Sequence, residues 1–186
     1  MASLYFYYGT TNAGKSTYLL QSAYNYEEQE SSIALYTSLI DDRYTVGHIT
    51  SRIGISSKCN IFNDTTSFVN EITPIRDEIA CLFIDEAQFL RVNQIKELRQ
   101  LVCQLKLPVV CFGLRSDFQG EPFEGSTYLL TLADKIREIK SICKCGKKAI
   151  MNIRIDENKE RVYSGDKIKI GGNDLYTAVC ANHFFN

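Results

Sequence analysis

The chain has 186 residues, of which 45% are hydrophobic and 23% are charged. This length and composition suit one compact unit, or one domain with a small attachment, and exclude a highly charged disordered protein. With 21 basic and 22 acidic residues the formal net charge is −1. That balance argues against a protein that binds the nucleic acid backbone, because such binding normally requires an excess of basic residues.

The apolar runs and the cysteines indicate the cellular compartment. The longest uncharged apolar run, 107–114, is far shorter than the roughly 20 residues of a membrane-spanning helix. No basic residue precedes Lys15, and the first apolar run is too short for a signal peptide. The cysteine count, 7, is odd and favours metal binding or reduced thiols over a disulfide framework. We therefore expect a cytoplasmic protein without membrane contact.

Short apolar runs alternate with amphipathic segments along residues 1–140. Buried strands are predicted at 4–8, 33–36, 79–84 and 109–114, and helices at 15–26 and 93–105. Continuous apolar strands alternating with amphipathic helices are typical of a parallel sheet covered on both faces. The sequence therefore predicts an α/β domain over 1–140.

The composition becomes more polar after residue 140, and two short cysteine motifs bracket the last segment. These motifs are Cys143-x-Cys145 and Cys180-x-x-His183. A segment of this size cannot maintain a core alone and needs a staple. Three sulfurs and one nitrogen are a ligand set for a structural tetrahedral Zn²⁺, although free thiols remain an alternative. The sequence predicts a small zinc-stapled β domain over 141–186.

The remaining cysteines and the other histidine receive simpler interpretations. Cys81, Cys103 and Cys111 lie in apolar runs and are predicted to be packed core residues. Cys59, in a polar segment, is given no role. His48 is predicted to be a solvated loop residue.

A phosphate-binding loop is predicted where the first strand passes into the first helix. The motif G-x-x-x-x-G-K-S is formed by Gly9, Thr10, Thr11, Asn12, Ala13, Gly14, Lys15 and Ser16. Its glycines let successive backbone N–H groups point at phosphate oxygens, and the helix N-terminus adds positive charge. Lys15 would bridge the outer phosphates and the Ser16 hydroxyl would hold Mg²⁺. The alternative is an ordinary Gly-rich turn that matches this motif by chance.

Two adjacent carboxylates follow the predicted strand at 79–84. Asp85 is the expected Mg²⁺-orienting acid, and Glu86 could accept a proton from a hydroxyl that attacks the γ-phosphate. Surface acids at a strand end are the alternative interpretation of both residues.

Three classes of protein could use this phosphate loop. A motor ATPase would use an acid at Glu86 to activate water, but the chain is short and lacks a basic nucleic-acid stripe. A GTPase switch could use Asp117 to Gly120, which fits D-x-x-G, but no N-K-x-D guanine motif occurs. A small-molecule kinase would use Glu86 on a substrate hydroxyl. Spacing alone places the kinase ahead without deciding the matter.

Five motifs in order resemble the thymidine kinases of the compact type with a zinc-held lasso, in their bacterial or phage form. They are Y-F-Y-Y-G-T-T-N-A-G-K-S-T, I-D-E-A-Q-F, G-L-R-S-D-F-Q-G-E-P-F, C-K-C-G and I-G-G-N-D-L-Y. The resemblance covers essentially the whole chain. It implies phosphorylation of the thymidine 5′-hydroxyl by ATP and Mg²⁺, giving dTMP and ADP.

The resemblance also implies roles for individual residues. Glu86 matches the catalytic carboxylate, and Arg52 matches a basic position near the phosphates. The nucleotide site is matched by 9–16 together with Asp85, Glu86, Ala87 and Gln88. Substrate contacts are matched by Phe118, Lys167, Ile168, Lys169, Ile170, Gly171 and Tyr176. The zinc ligands are matched by Cys143, Cys145, Cys180 and His183.

Further implications concern assembly and regulation. The family is usually homotetrameric and often inhibited by dTTP. Two departures matter: one residue, not two, separates the first two cysteines, and the threonine that lines the methyl pocket of some relatives has no assigned counterpart near Met151 and Asn152. The second departure leaves tolerance for deoxyuridine open.

Overall fold

The computed structural model describes residues 1–41, 45–167 and 175–186. In chain order the described strands are β1 (Leu4–Tyr8), β2 (Ile33–Ser38), β3 (His48–Thr50), β4 (Ser56–Lys58), β5 (Asn60–Phe62), β6 (Cys81–Ile84), β7 (Val109–Gly113), β8 (Lys135–Glu138), β9 (Ser141–Ile142), β10 (Lys148–Ala149), β11 (Met151–Ile155), β12 (Arg161–Val162) and β13 (Tyr176–Val179). The described α-helices are α1 (Lys15–Glu27), α2 (Phe68–Ile72), α3 (Val92–Gln104), α4 (Glu124–Leu132) and α5 (Ala181–Phe185). Turns of 3₁₀ helix span Thr73–Glu78 and Ala87–Phe89.

Within the described residues, six strands form the central sheet in the order β5-β2-β6-β7-β1-β8. Every neighbouring pair in this sheet is parallel. The carboxyl ends of β1, β6 and β7 therefore lie side by side at one end of the sheet, where open α/β sheets bind their ligands. This topology brings the loop after β1 and the acids after β6 to the same end of the sheet.

Apolar side chains cover both faces of this sheet. Because successive strand residues point to opposite faces, Leu82 and Ile84 pack on one side while Cys81 and Phe83 pack on the other. The first side carries the buried stripe of α3, and the second carries α1. The predicted α/β fold with a central parallel sheet is thus confirmed.

The predicted elements are found with small shifts in their ends, but several elements were not predicted. Missed elements of the first 140 residues include β5, α2, α4 and β8. Strand β8 (Lys-Ile-Arg-Glu) is an edge strand whose side chains are largely exposed. It therefore shows no apolar run, and only pairing with β1 reveals it.

The chain after β8 forms small antiparallel structures around their own apolar cluster. Strands β9 and β10 pair as a hairpin, and β11 pairs with β12 and β13. Their cluster consists of Cys143, Ala149, Met151, Val179, Cys180 and Phe184. So few buried residues contribute little free energy of folding, which agrees with the expectation that this segment needs a further stabilising element. The division into domains at residue 140 remains a prediction.

Burial tests the simpler interpretations of four residues. Cys81 and Cys111 are fully buried, as predicted, but Cys103 is exposed on α3, so its assignment to the core was wrong. Helical periodicity explains the error, because Cys103 lies off the stripe of Leu98, Leu101 and Val102. His48 is a half-buried residue at the start of β3, not a solvated loop residue.

None of the helices in the described ranges is long and apolar enough to cross a membrane.

Candidate active site

The phosphate loop has the backbone that its glycines predict. Gly14 caps α1 with φ +84°, a left-handed conformation that strains other residues. A Cβ on Gly9 would lie 2.7 Å from the carbonyl oxygen of Ile139 and 2.9 Å from Cβ of Ala13, so close packing requires glycine there. Lys15 is nearly buried, and its Nζ donates to the carbonyl oxygen of Thr10 at 2.9 Å. The lysine is therefore curled over the loop.

A hydrogen bond joins the loop to the acid at the end of β6. The Ser16 hydroxyl donates to Oδ2 of Asp85 at 2.7 Å, although the residues are 69 positions apart. Oδ1 of Asp85 accepts the backbone N–H of Glu86 at 3.0 Å. Burial, followed by the neighbouring Glu86 charge, raises the pKa of Asp85 to about 6. A hydroxyl and a buried carboxylate in contact are the donor set that a hard divalent cation prefers, so this pair suits Mg²⁺.

Glu86 is held in place by a glutamine two residues further along. Gln88 Nε2 donates to Oε2 of Glu86 at 2.5 Å, and Gln88 Oε1 accepts the Leu114 N–H at 3.0 Å. A backbone N–H can only donate, so the amide oxygen of Gln88 must face Leu114 and its NH₂ must face Glu86. Both side chains are buried. Glu86 itself has φ +52°, an uncommon backbone conformation for a residue with a side chain.

Strands β3 and β4 pair as an antiparallel hairpin, and one cavity is lined by the turn of this hairpin, the phosphate loop and Glu86. Among its lining residues are Lys15, Ser16, Arg52, Glu86 and Leu114. The structure therefore places Arg52 beside the phosphate loop. Adjacent cationic, hydroxyl and carboxylate groups can bind phosphates while leaving a carboxylate to accept a proton.

Two buried polar residues on β11, one of which contacts the phosphate loop, were missed from the sequence. Asn152 and Arg154 are buried, and they point to the same face because they are two positions apart on a strand. Oδ1 of Asn152 accepts the Thr11 N–H at 2.8 Å, which ties β11 to the phosphate loop. A polar residue at every second position of a half-apolar strand was the signal that could have indicated them.

The loop between β7 and α4 carries Phe118, which is 2% exposed. Oδ1 of Asp117 accepts the N–H groups of Gln119 and Glu121, both at 2.9 Å, so Asp117 shapes the turn that holds Phe118. This is a structural use of the D-x-x-G sequence that a GTPase switch would have employed.

The described substrate-contact candidates lie around this loop. Tyr176 begins β13, and the Arg154 guanidinium lies over the Phe118 ring and close to the Tyr176 ring. Lys167 Nζ donates to the carbonyl oxygen of Pro122 at 2.7 Å and lies 3.7 Å from Oδ2 of Asp117. Four further candidates, Ile168, Lys169, Ile170 and Gly171, fall outside the described residues.

The four proposed zinc ligands converge where the turn between β9 and β10 meets the chain that follows β13. The ligand atoms of Cys143, Cys145, Cys180 and His183 all lie within 4.8 Å of one another. The Cys145 and Cys180 sulfurs are 3.7 Å apart, close to the roughly 3.8 Å edge of a tetrahedron with Zn–S bonds of about 2.3 Å. The Cys145 backbone, and then His183, lower the pKa of Cys143 to about 6, which favours the metal-binding thiolate. The cluster could hold zinc.

A loop of this sequence after β1, joined to an acid after β6 in a parallel sheet with helices on both faces, defines the P-loop class of α/β proteins. Comparison with known proteins narrows this class. A family model described as thymidine kinase matches residues 2–184. The chain therefore belongs to the thymidine kinase family.

Individual relatives cover nearly the whole chain. A thymidine kinase of Haemophilus influenzae (strain ATCC 51907 / DSM 11121 / KW20 / Rd) is 50% identical, covering 99% of this chain and 96% of the relative. One from Yersinia pestis is 50% identical, with 99% and 95% covered. One from Aliivibrio fischeri (strain ATCC 700601 / ES114) is 48% identical, with 99% and 97% covered.

Proposed function

We propose that the chain transfers the γ-phosphoryl group of ATP to the 5′-hydroxyl of thymidine, giving dTMP and ADP. The observation that carries this proposal is a cavity lined by both the phosphate loop and Glu86, in a chain of the thymidine kinase family. A nucleoside kinase needs a phosphate cradle and a carboxylate at the attacking oxygen, and this cavity offers both.

In this mechanism the backbone of 9–16 and Lys15 bind the ATP phosphates. Ser16 and Asp85 would hold Mg²⁺, which would supply positive charge against the developing charge on the phosphoryl oxygens. Glu86 accepts the proton of the 5′-hydroxyl as that oxygen attacks. Gln88 keeps the Glu86 carboxylate oriented, and Arg52 adds positive charge at the same cavity.

The nucleoside is proposed to lie beside Phe118 and Tyr176, with Lys167 to Gly171 forming the remaining contacts. The proximity of Arg154 to both the Phe118 and Tyr176 rings supports this, because it gathers residues from β11, β13 and the loop after β7 into one place. The four converging ligands support a structural Zn²⁺ that holds β9, β10 and β13 together.

Other properties are proposed from the family alone. They are a cytoplasmic location, a homotetrameric state, inhibition by dTTP, and the absence of nucleic acid or membrane partners. Acceptance of deoxyuridine beside thymidine is decided by the same substrate measurements as the main reaction.

A panel of nucleosides tests the proposed reaction. With ATP and Mg²⁺ we expect the purified protein to phosphorylate thymidine and to leave purine nucleosides essentially unmodified. Product formation is measured by separating nucleoside monophosphates, with deoxyuridine included in the panel. ATP hydrolysis that no nucleoside alters would contradict the proposal in favour of an ATPase. Preference for guanine nucleotides over ATP would contradict it in favour of a switch.

Replacing Lys15 tests its contact with ATP. Lys15→Met keeps the alkyl chain that packs in the loop but removes the ammonium group. Because the charge contacts phosphate in both the ground and transition states, we expect ATP binding to weaken and kcat to fall together. Titration calorimetry with ATP and steady-state rates measure the two effects. Unchanged ATP affinity would remove Lys15 from the phosphate site.

A further inference from the structure

We propose that Arg154 is a positioning residue of the nucleoside site, which holds Phe118 and Tyr176 in the arrangement that accepts the thymine base. This inference rests on the proposed function. Arg154 is 5% exposed on β11. A charged group so deeply buried is costly unless its surroundings satisfy it, so its contacts indicate what it does.

The contacts of Arg154 join separate parts of the chain. The guanidinium carbon lies 3.9 Å from the centroid of the Phe118 ring and 5.4 Å from that of Tyr176. Nη2 donates to the Tyr176 hydroxyl at 2.8 Å and to the carbonyl oxygen of Asp166 at 2.7 Å. One planar group thus fixes the loop after β7, the first residue of β13 and the chain that follows β12.

The chemistry of arginine suits this task better than that of lysine. A guanidinium can stack flat on an aromatic ring while its edge donates several hydrogen bonds in fixed directions. Since it only donates, the Tyr176 oxygen must be the acceptor, and this determines how the Tyr176 hydroxyl is oriented. An ammonium in the same place could keep the charge but could not hold all three contacts.

Position on β11 connects this group with the phosphate loop. Asn152, on the same face two residues earlier, accepts the Thr11 N–H. Strand β11 therefore contacts the phosphate loop through Asn152 and the proposed base site through Arg154. This places the two halves of the site at a fixed separation, which a phosphoryl transfer requires.

The test compares Arg154→Met with Arg161→Met. Arg161 is a matched control: it lies on β12, which pairs with β11, its guanidinium also lies close to two rings, Tyr163 and Phe184, and it also donates to a backbone carbonyl, that of Phe184. For Arg154→Met we expect KM for thymidine to rise about 10- to 100-fold, because charge-assisted hydrogen bonds are lost. KM for ATP should change less than about twofold. Arg161→Met should leave KM for thymidine near the wild-type value.

Thermal melting and zinc content are measured on every variant. Arg154→Lys is the second variant if Arg154→Met does not fold, and we expect it to show a smaller rise in KM for thymidine alone. Equal rises for thymidine and ATP, or a thymidine KM unchanged from wild type, would overturn the inference. Wild-type protein that phosphorylates no thymidine would instead refute the proposed function, so the two failures are distinguishable.

Discussion

Glu86→Gln is expected to lower kcat for thymidine by about 10²–10⁴-fold, the contribution of a positioned general base. The 5′-hydroxyl is a poor nucleophile until its proton can leave, and an amide cannot accept that proton. The substitution preserves shape, and its carbonyl oxygen can still accept the hydrogen bond from Gln88. KM for thymidine and ATP should therefore change little, the pattern of an interaction made in the transition state.

Glu97→Gln provides the matched control for this result. Glu97 also accepts hydrogen bonds in the folded chain, from the Ser67 hydroxyl and the Val69 N–H at 3.2 Å, but it lies on α3 outside the cavity. Its conversion should leave kcat near the wild-type value. Rapid-quench measurements are needed beside this comparison, to test whether chemistry limits turnover. Near-normal turnover of Glu86→Gln under that condition would show that another group takes the proton.

Cys145→Ser is expected to abolish zinc binding and to unfold the antiparallel structures after β8. Structural zinc contributes about 10–16 kcal/mol of apparent binding free energy in small zinc domains, far more than the short apolar cluster here could replace. Thymidine binding should be lost with Arg154 and Tyr176, which belong to this part of the chain. Nucleotide binding should persist, because Lys15 and Ser16 on α1 and Asp85 after β6 belong to the part of the chain before β8.

Cys103→Ser controls for the loss of a cysteine as such. Cys103 and Cys145 are both exposed, but Cys103 lies on α3 outside the ligand cluster. Elemental analysis should find one zinc per chain in wild type and Cys103→Ser, and essentially none in Cys145→Ser. Wild-type protein purified without chelators that contains no zinc would refute the metal site. Chelator treatment of wild type should reproduce the Cys145→Ser result.

The local parts of this protein were determined by the sequence alone. The G-x-x-x-x-G-K-S motif predicted a loop whose conformation depends on Gly14 and on the helix that starts at Lys15, both of which are properties of neighbouring residues. Apolar runs predicted β1, β2, β6 and β7, because strands buried on both faces contain little besides apolar side chains. Two short motifs likewise predicted the ligand set that converges at 143–183.

Only the tertiary structure decided the contacts between distant segments. Edge strand β8 carries a polar sequence, so its place in the sheet follows from pairing with β1 and not from its own residues. The family resemblance assigned Gln88 to the nucleotide site, but only the structure shows that the Leu114 N–H orients its amide toward Glu86. Asn152 and Arg154 acquire their roles from Thr11 and Phe118, which are 141 and 36 positions away. Spacing along a chain records local geometry, whereas a buried polar side chain is explained by partners that only folding brings to it.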